Sequence, residues 1–147
     1  MVQFALMRKP LYPSRSEHFP YPERTFMYGD TPVMSFDAGA GPAIVVVHGL
    51  GANLTHFEHV APPLVDAGFR VCGLDLPGFG LSGKPRRDYS IRWLSGAVFA
   101  LMDHLGLASA TLAGHSLGGL VVADAALHDR SRVERLVLIS SAGLFQM

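Results

Sequence analysis

Charge is scarce in this chain. Only 16% of its 147 residues are Asp, Glu, Lys or Arg, against roughly 25% in an ordinary soluble domain. The 12 basic and 12 acidic side chains cancel to a formal net charge of zero. No basic stripe points to nucleic acid, and no block of like charge points to a disordered tail. With 49% hydrophobic residues, either the chain is mostly sheet interior or something that normally covers it is absent.

Cysteine is nearly absent too. Cys72 stands alone, so no internal disulfide can form and nothing indicates an oxidising compartment. Its place in an apolar run marks it as core packing. Met1–Pro10 has few apolar residues before Arg8 and Lys9, the wrong order and length for a secretory leader. One long uncharged stretch, Leu105–Ala123, contains four glycines together with Ser109, Thr111, His115 and Ser116. It reads as strand, turn and helix, not as a membrane span. Internal repeats, linkers, metal-ligand spacings and phosphate-binding glycine loops are all missing. These absences leave a soluble, cytoplasmic domain with no cofactor, no metal, no membrane and no nucleic-acid partner.

What is present is an alternation of strands and helices. Prolines at 10, 13, 20, 22 and 32 predict an extended N-terminal arm over residues 1–24, with the folded core at 25–147. Thr25–Tyr28 and Val33–Asp37 read as a loose hairpin across Gly29-Asp30-Thr31-Pro32. Ala43–Val47 is a continuous β-branched run, as expected of a parallel strand covered on both faces. Thr55 with Glu58 fits a capping box, Pro62-Pro63 restarts a helix, and Gly68 stops it. Phe69–Leu76 is the next strand. Ser90 caps a helix that carries Ile91, Leu94, Val98, Leu101 and Leu105 on one face, with Gly106 just past its end. Ala110–Gly114 is a strand, Leu117–Leu127 a helix and Val133–Ser140 another apolar strand. This order predicts an α/β fold, a mostly parallel sheet with flanking helices built from right-handed βαβ units.

The most informative segment is Gly114-His115-Ser116-Leu117-Gly118-Gly119, lying between a predicted strand and a predicted helix. A serine on so sharp a turn is forced into a strained conformation, and glycines two residues to either side remove side chains that would clash. Its hydroxyl would stand at the carboxyl end of the sheet, where open α/β folds bind ligands. The following helix would aim free N–H groups at developing negative charge.

Three segments in order, His48-Gly49-Leu50-Gly51, Asp75-Leu76-Pro77-Gly78-Phe79-Gly80-Leu81-Ser82 and the serine turn, resemble the N-terminal half of the alpha/beta-hydrolase superfamily in its esterase-like branch. The resemblance covers roughly residues 25–145. It implies Ser116 as nucleophile, the N–H groups of Leu50 and Leu117 as oxyanion hole, and a small-molecule acyl substrate. Serine rather than aspartate at 116 disfavours the alkyl-enzyme chemistry of the related dehalogenases and epoxide hydrolases. Gly49, His56 and His115 are candidates for the substrate pocket, with Phe57 and His59 near it. His48 is expected to shape the oxyanion loop and His115 to point back into the fold. Asp75 is expected to tie loops together, and Trp93 to serve as packing.

A serine hydroxyl needs a base, and the base an orienting acid. In this superfamily both follow the serine in the chain. Asp124 and His128, spaced to touch each other, lie about 12 and 18 Å along the helix from Ser116. They are too far away to serve it. The resemblance therefore implies a core that lacks the C-terminal strands, the acid, the histidine and the lid, which would begin near Ala142–Phe145. Such a chain alone is expected to be weak or inactive. Either its missing half or a second copy joined at strand 133–140 is the expected partner, and His56 or His59 of another subunit is a further source of the base. A non-catalytic, oligomerising module is the competing reading.

Overall fold

Five residues without a polar side chain, Ala43–Val47, form the strand at the middle of the sheet, and the sheet is built outward from them. The computed structural model describes residues 15–143. The readings placed on Met1–Pro10 and on Leu144 and Phe145 lie outside the described residues. Six strands, β1 (Glu23–Tyr28), β2 (Thr31–Ala38), β3 (Ala43–Val47), β4 (Arg70–Leu74), β5 (Ala110–His115) and β6 (Val133–Ile139), form one sheet in the order β1-β2-β4-β3-β5-β6. The β1–β2 hairpin and the β2–β4 pair are antiparallel, whereas β4, β3, β5 and β6 run parallel. This is the mostly parallel α/β architecture that the sequence predicts.

Successive side chains of a strand point to opposite faces, and β3 shows why its sequence has no polar break. Val45 and Val47 join a core with Leu74, Val98, Leu101 and Leu112, while Val46 joins another with Phe36, Leu54 and Val71. Each such buried side chain stabilises the fold by about 1.5–3 kcal/mol. Helices α2 (Ile91–His104) and α3 (Leu117–His128) cover the first face, and α1 (Ala61–Asp66) covers the second. Cys72 is fully buried, and burial pushes its thiol up to about 12, so it packs and does not react.

The helix ends follow local chemistry. Ser90 Oγ accepts from the Trp93 N–H at 3.2 Å and starts α2. At the other end Gly106 takes φ +69°, and Leu107 N–H donates to Met102 O at 2.8 Å, closing the helix with a left-handed glycine turn. The Thr55–Glu58 capping box does not form. Asn53 is the cap, its Oδ1 accepting from the Thr55 N–H at 3.0 Å, and the Glu58 carboxylate instead accepts from the Ser16 hydroxyl. The described part of the proline-rich arm, residues 15–24, is thus tied down. Phe19 packs edge-on to Phe36 and Tyr21 stacks on the same ring, and β1 begins at Glu23, within the predicted arm. Strand β4 ends at Leu74, short of the expected Leu76, because Leu76 N–H leaves the sheet to donate to His48 Nε2.

Strand β6 lies at the edge of the sheet beside β5. Leu136, Val137 and Ile139 are 40%, 43% and 45% exposed, whereas Val45 and Val47 are fully buried. An apolar strand with open faces and an open edge offers unpaired backbone to another chain.

Candidate active site

Ser116 is the single residue between β5 and α3, and its backbone takes φ +52°, ψ −116°. For a residue with a side chain this conformation costs about 1–3 kcal/mol unless the surroundings impose it. Here they do. Ser116 N–H donates to Ile139 O at 3.0 Å, and Ser116 O accepts from Gly119 N–H and Ala142 N–H, each at 3.0 Å. A Cβ at Gly114 would overlap Gly118 O, and one at Gly118 would overlap Val47 O. The two glycines therefore let strand, turn and helix approach more closely than alanine would allow. The Ser116 hydroxyl neither caps α3 nor bonds to a histidine among the described residues. It is left half-buried at the carboxyl end of β5.

The loop after β3 passes across this turn. A Cβ at Gly49 would lie 3.2 Å from both His115 Nδ1 and Ser116 Cβ, so residue 49 sits against the serine. His48, 1% exposed, anchors the loop from below: its Nδ1 bonds to Gly49 O at 2.8 Å and its Nε2 accepts from Leu76 N–H at 2.9 Å. That pairing puts the ring proton on Nδ1. Burial lowers the His48 pKa to about 4, against the pull of Gly49 O and the Asp75 charge. A neutral ring with both nitrogens engaged orients the loop and has no site left for a reacting proton. The backbone N–H groups of Leu50, beyond it, and of Leu117, first residue of α3, donate to no acceptor among the described residues. Free amides at a helix start suit an anion.

Asp75 fastens the loops behind the site. Its fully buried carboxylate accepts from Leu54 N–H at 2.7 Å through Oδ1, and from Leu81 N–H at 2.8 Å and Arg15 Nη1 at 2.7 Å through Oδ2. Arg15 also bonds Glu23. Both carboxylate oxygens are thus hydrogen-bonded and one is paired with a cation, as a buried charge requires.

Beside the turn lies a cavity of about 460 Å³. Leu50 and Leu117 form part of its wall, so the two residues with free amides border one space; Phe79, Tyr89, Ile91, Leu94, Gly78 and Lys84 complete it. Another cavity, about 260 Å³, lies at the far end of α2, by His104 and Leu105.

The fold thus gathers Gly49, Leu50, His115, Ser116 and Leu117. His56 is exposed on the 3-10 turn Leu54–Phe57 and is not among the residues lining the cavity beside Ser116. His115 is exposed, contrary to the expectation that it points inward; its partner across the ladder is Ile139 on the edge strand, and residue 49 lies against one side of its ring. Asp124 does not pair with His128 as expected. It bonds Arg92 at 3.0 Å and Ser95 Oγ at 2.6 Å on α2, and His128 is exposed. No group of His, Cys, Asp and Glu suited to a metal, and no helix long and apolar enough to cross a membrane, is present among the described residues. The sequence reading missed Arg15, Lys84 and Tyr89. Arg15 joins Asp75 across 60 residues and carries no local signal, whereas Lys84 and Tyr89 lie in the loop between the Gly78–Ser82 segment and α2.

Comparison with known proteins gives the context. The family model described as alpha/beta hydrolase fold matches residues 42–146. The dihydrolipoyllysine-residue acetyltransferase component of the acetoin cleaving system from Pseudomonas putida is 46% identical over 71% of this chain and 28% of its own length. A pimeloyl-[acyl-carrier protein] methyl ester esterase from a Shewanella species is 39% identical over 73% of this chain and 38% of its own. The crystal structure of epoxide hydrolase A from Mycobacterium thermoresistibile superposes with a TM-score of 0.77 at 32% identity, over 80% of this chain and 38% of that one. The chain spans 28% to 38% of the length of these three proteins.

Proposed function

This chain belongs to the alpha/beta hydrolase fold family, and on that premise we propose that it carries the nucleophile of a serine-dependent acyl hydrolase. The relatives include both an esterase and an epoxide hydrolase, so the family alone does not choose the reaction; a serine at the turn favours acyl transfer. The observation that carries the reading is Ser116 at φ +52°, bordered by the free amides of Leu50 and Leu117 and an apolar cavity. In this mechanism Ser116 Oγ attacks the carbonyl carbon of an ester or thioester, and its proton passes to a base. The carbonyl oxygen, now negative, accepts from Leu50 N–H and Leu117 N–H, each donor being worth about 3 kcal/mol on the transition state. The leaving group departs with a proton, and water releases the acid from the acyl-enzyme. Asp124, held by Arg92 and Ser95, is not available for this work. The base and its acid come from outside the described residues, by a C-terminal half or an associated chain, and the site works in the cytoplasm without a cofactor.

The test is turnover of p-nitrophenyl butyrate by the chain, alone and mixed with a segment that supplies an aspartate and a histidine. Complementation should raise the rate, and Ser116→Ala should abolish the gain. Turnover that survives Ser116→Ala rejects the reading.

The exposed side chains of β6 favour a second reading, a non-catalytic module that self-associates through residues 133–139. It predicts a dimer or larger oligomer by light scattering, with no esterase activity under any complementation.

A further inference from the structure

Four of the chain's 12 basic side chains, Lys84, Arg86, Arg87 and Arg92, fall within nine residues and share them with one acid, Asp88. Arg92 is neutralised by Asp124. None of Lys84, Arg86 and Arg87 forms an ion pair among the described residues, so the segment carries an excess of positive charge. An exposed basic loop is ordinarily just solvated. Two features set this one apart.

The first is its place. Lys84 is the one charged residue in the wall of the cavity that Leu50 and Leu117 border, and Tyr89 is part of the same wall. The second is that the fold anchors the cations. Lys84 Nζ donates to Gly80 O at 2.8 Å and Ser82 O at 3.1 Å, which leaves one of its three N–H groups unused. The Arg87 guanidinium sits 4.0 Å over the Trp93 ring, and Trp93 meets Tyr89 edge to face at 5.2 Å. Lys84 is thereby held in the wall of an apolar space that also includes Leu117, the neighbour of Ser116 in the chain, and Arg87 is held near that wall through Trp93 and Tyr89.

We propose that the substrate of Ser116 is an acyl compound that bears a negative charge, with its apolar part in the cavity and a carboxylate or phosphate at Lys84 and Arg87. The inference rests on the acyl-transfer reading of Ser116. Cations on an exposed rim act chiefly through steering and selectivity, and their effect falls as salt rises.

Binding tests the anion site without requiring turnover. Isothermal titration calorimetry with octanoate, octyl phosphate and octan-1-ol compares two anions with a neutral analogue, and the sole tryptophan, Trp93, reports occupancy by its fluorescence. At low salt at least one anion should bind about tenfold more tightly than the alcohol, as two exposed ion pairs allow; the tighter of the two identifies carboxylate or phosphate. The Lys84→Gln/Arg87→Gln double variant should lose that preference and keep its affinity for the alcohol. Equal affinities for all three ligands, no binding of any, or a preference that persists in the double variant overturns the proposal. The preference should also survive Ser116→Ala. An anion preference together with turnover that ignores Ser116 would reject the acyl-transfer reading and leave the anion site standing.

Discussion

Arg15 Nη1 lies 2.7 Å from Asp75 Oδ2, so the N-terminal arm grips the carboxylate that holds both loops beside Ser116. Asp75 is fully buried and also accepts from the N–H groups of Leu54 and Leu81. Removing one member of such a group strands the rest away from water. Asp75→Ala should destabilise the fold by about 3–5 kcal/mol, read as a shift of the urea midpoint. Arg15→Met should cost less, because Arg15 is 22% exposed and the two amides still hold Asp75. A wild-type midpoint for Asp75→Ala would show that the contact does nothing for stability.

His48 sets a pH dependence. Its pKa in the folded chain is about 4, against about 6.5 in an unfolded chain. Between these values the unfolded state binds the proton and the folded state does not, so stability rises with pH across that window. The contribution is complete above about pH 6.5, is lost as pH falls toward 4, and amounts to on the order of 3 kcal/mol. Urea unfolding at pH 7 and pH 5 should show the loss in the wild type and a smaller one in His48→Gln. Equal losses in the two proteins would contradict this origin.

Gly114→Ala should be costly although alanine is small. Its Cβ would overlap Gly118 O, and backbone cannot swing aside as a side chain can. A penalty of about 1–3 kcal/mol is expected, measured by thermal or urea unfolding. Gly29→Ala meets no atom within 4 Å and carries only the strain of φ +60°, so it serves as the control.

Strand β6 should govern association. Val137→Lys places a charge on an exposed edge position and should shift light scattering toward monomer. An oligomer that is unchanged by this substitution does not use the edge.

The sequence was legible where one local cause decided the outcome. Ala43–Val47 reads correctly because burial on both faces leaves no polar position. Residues 91–104 read correctly because Ser90 and Gly106 mark both ends of α2, and the turn at Ser116 because close backbone approach demands glycine at 114 and 118. The failures share a cause as well: a distant partner won. Glu58 looked like a cap and went to Ser16. Asp124 looked like a partner of His128 and went to Arg92 and Ser95 on another helix. His115 was expected inside and lies exposed, at the end of β5 where its ladder partner is Ile139 of the edge strand. The link from Arg15 to Asp75 has no local signature.

The most direct measurement is peptide mapping after treatment with a fluorophosphonate, which traps an activated serine. We predict a single adduct on Ser116, formed faster when the aspartate- and histidine-bearing segment is present and absent from Ser116→Ala. An adduct on another serine, or none in the complemented chain, would contradict the assignment of Ser116 as nucleophile.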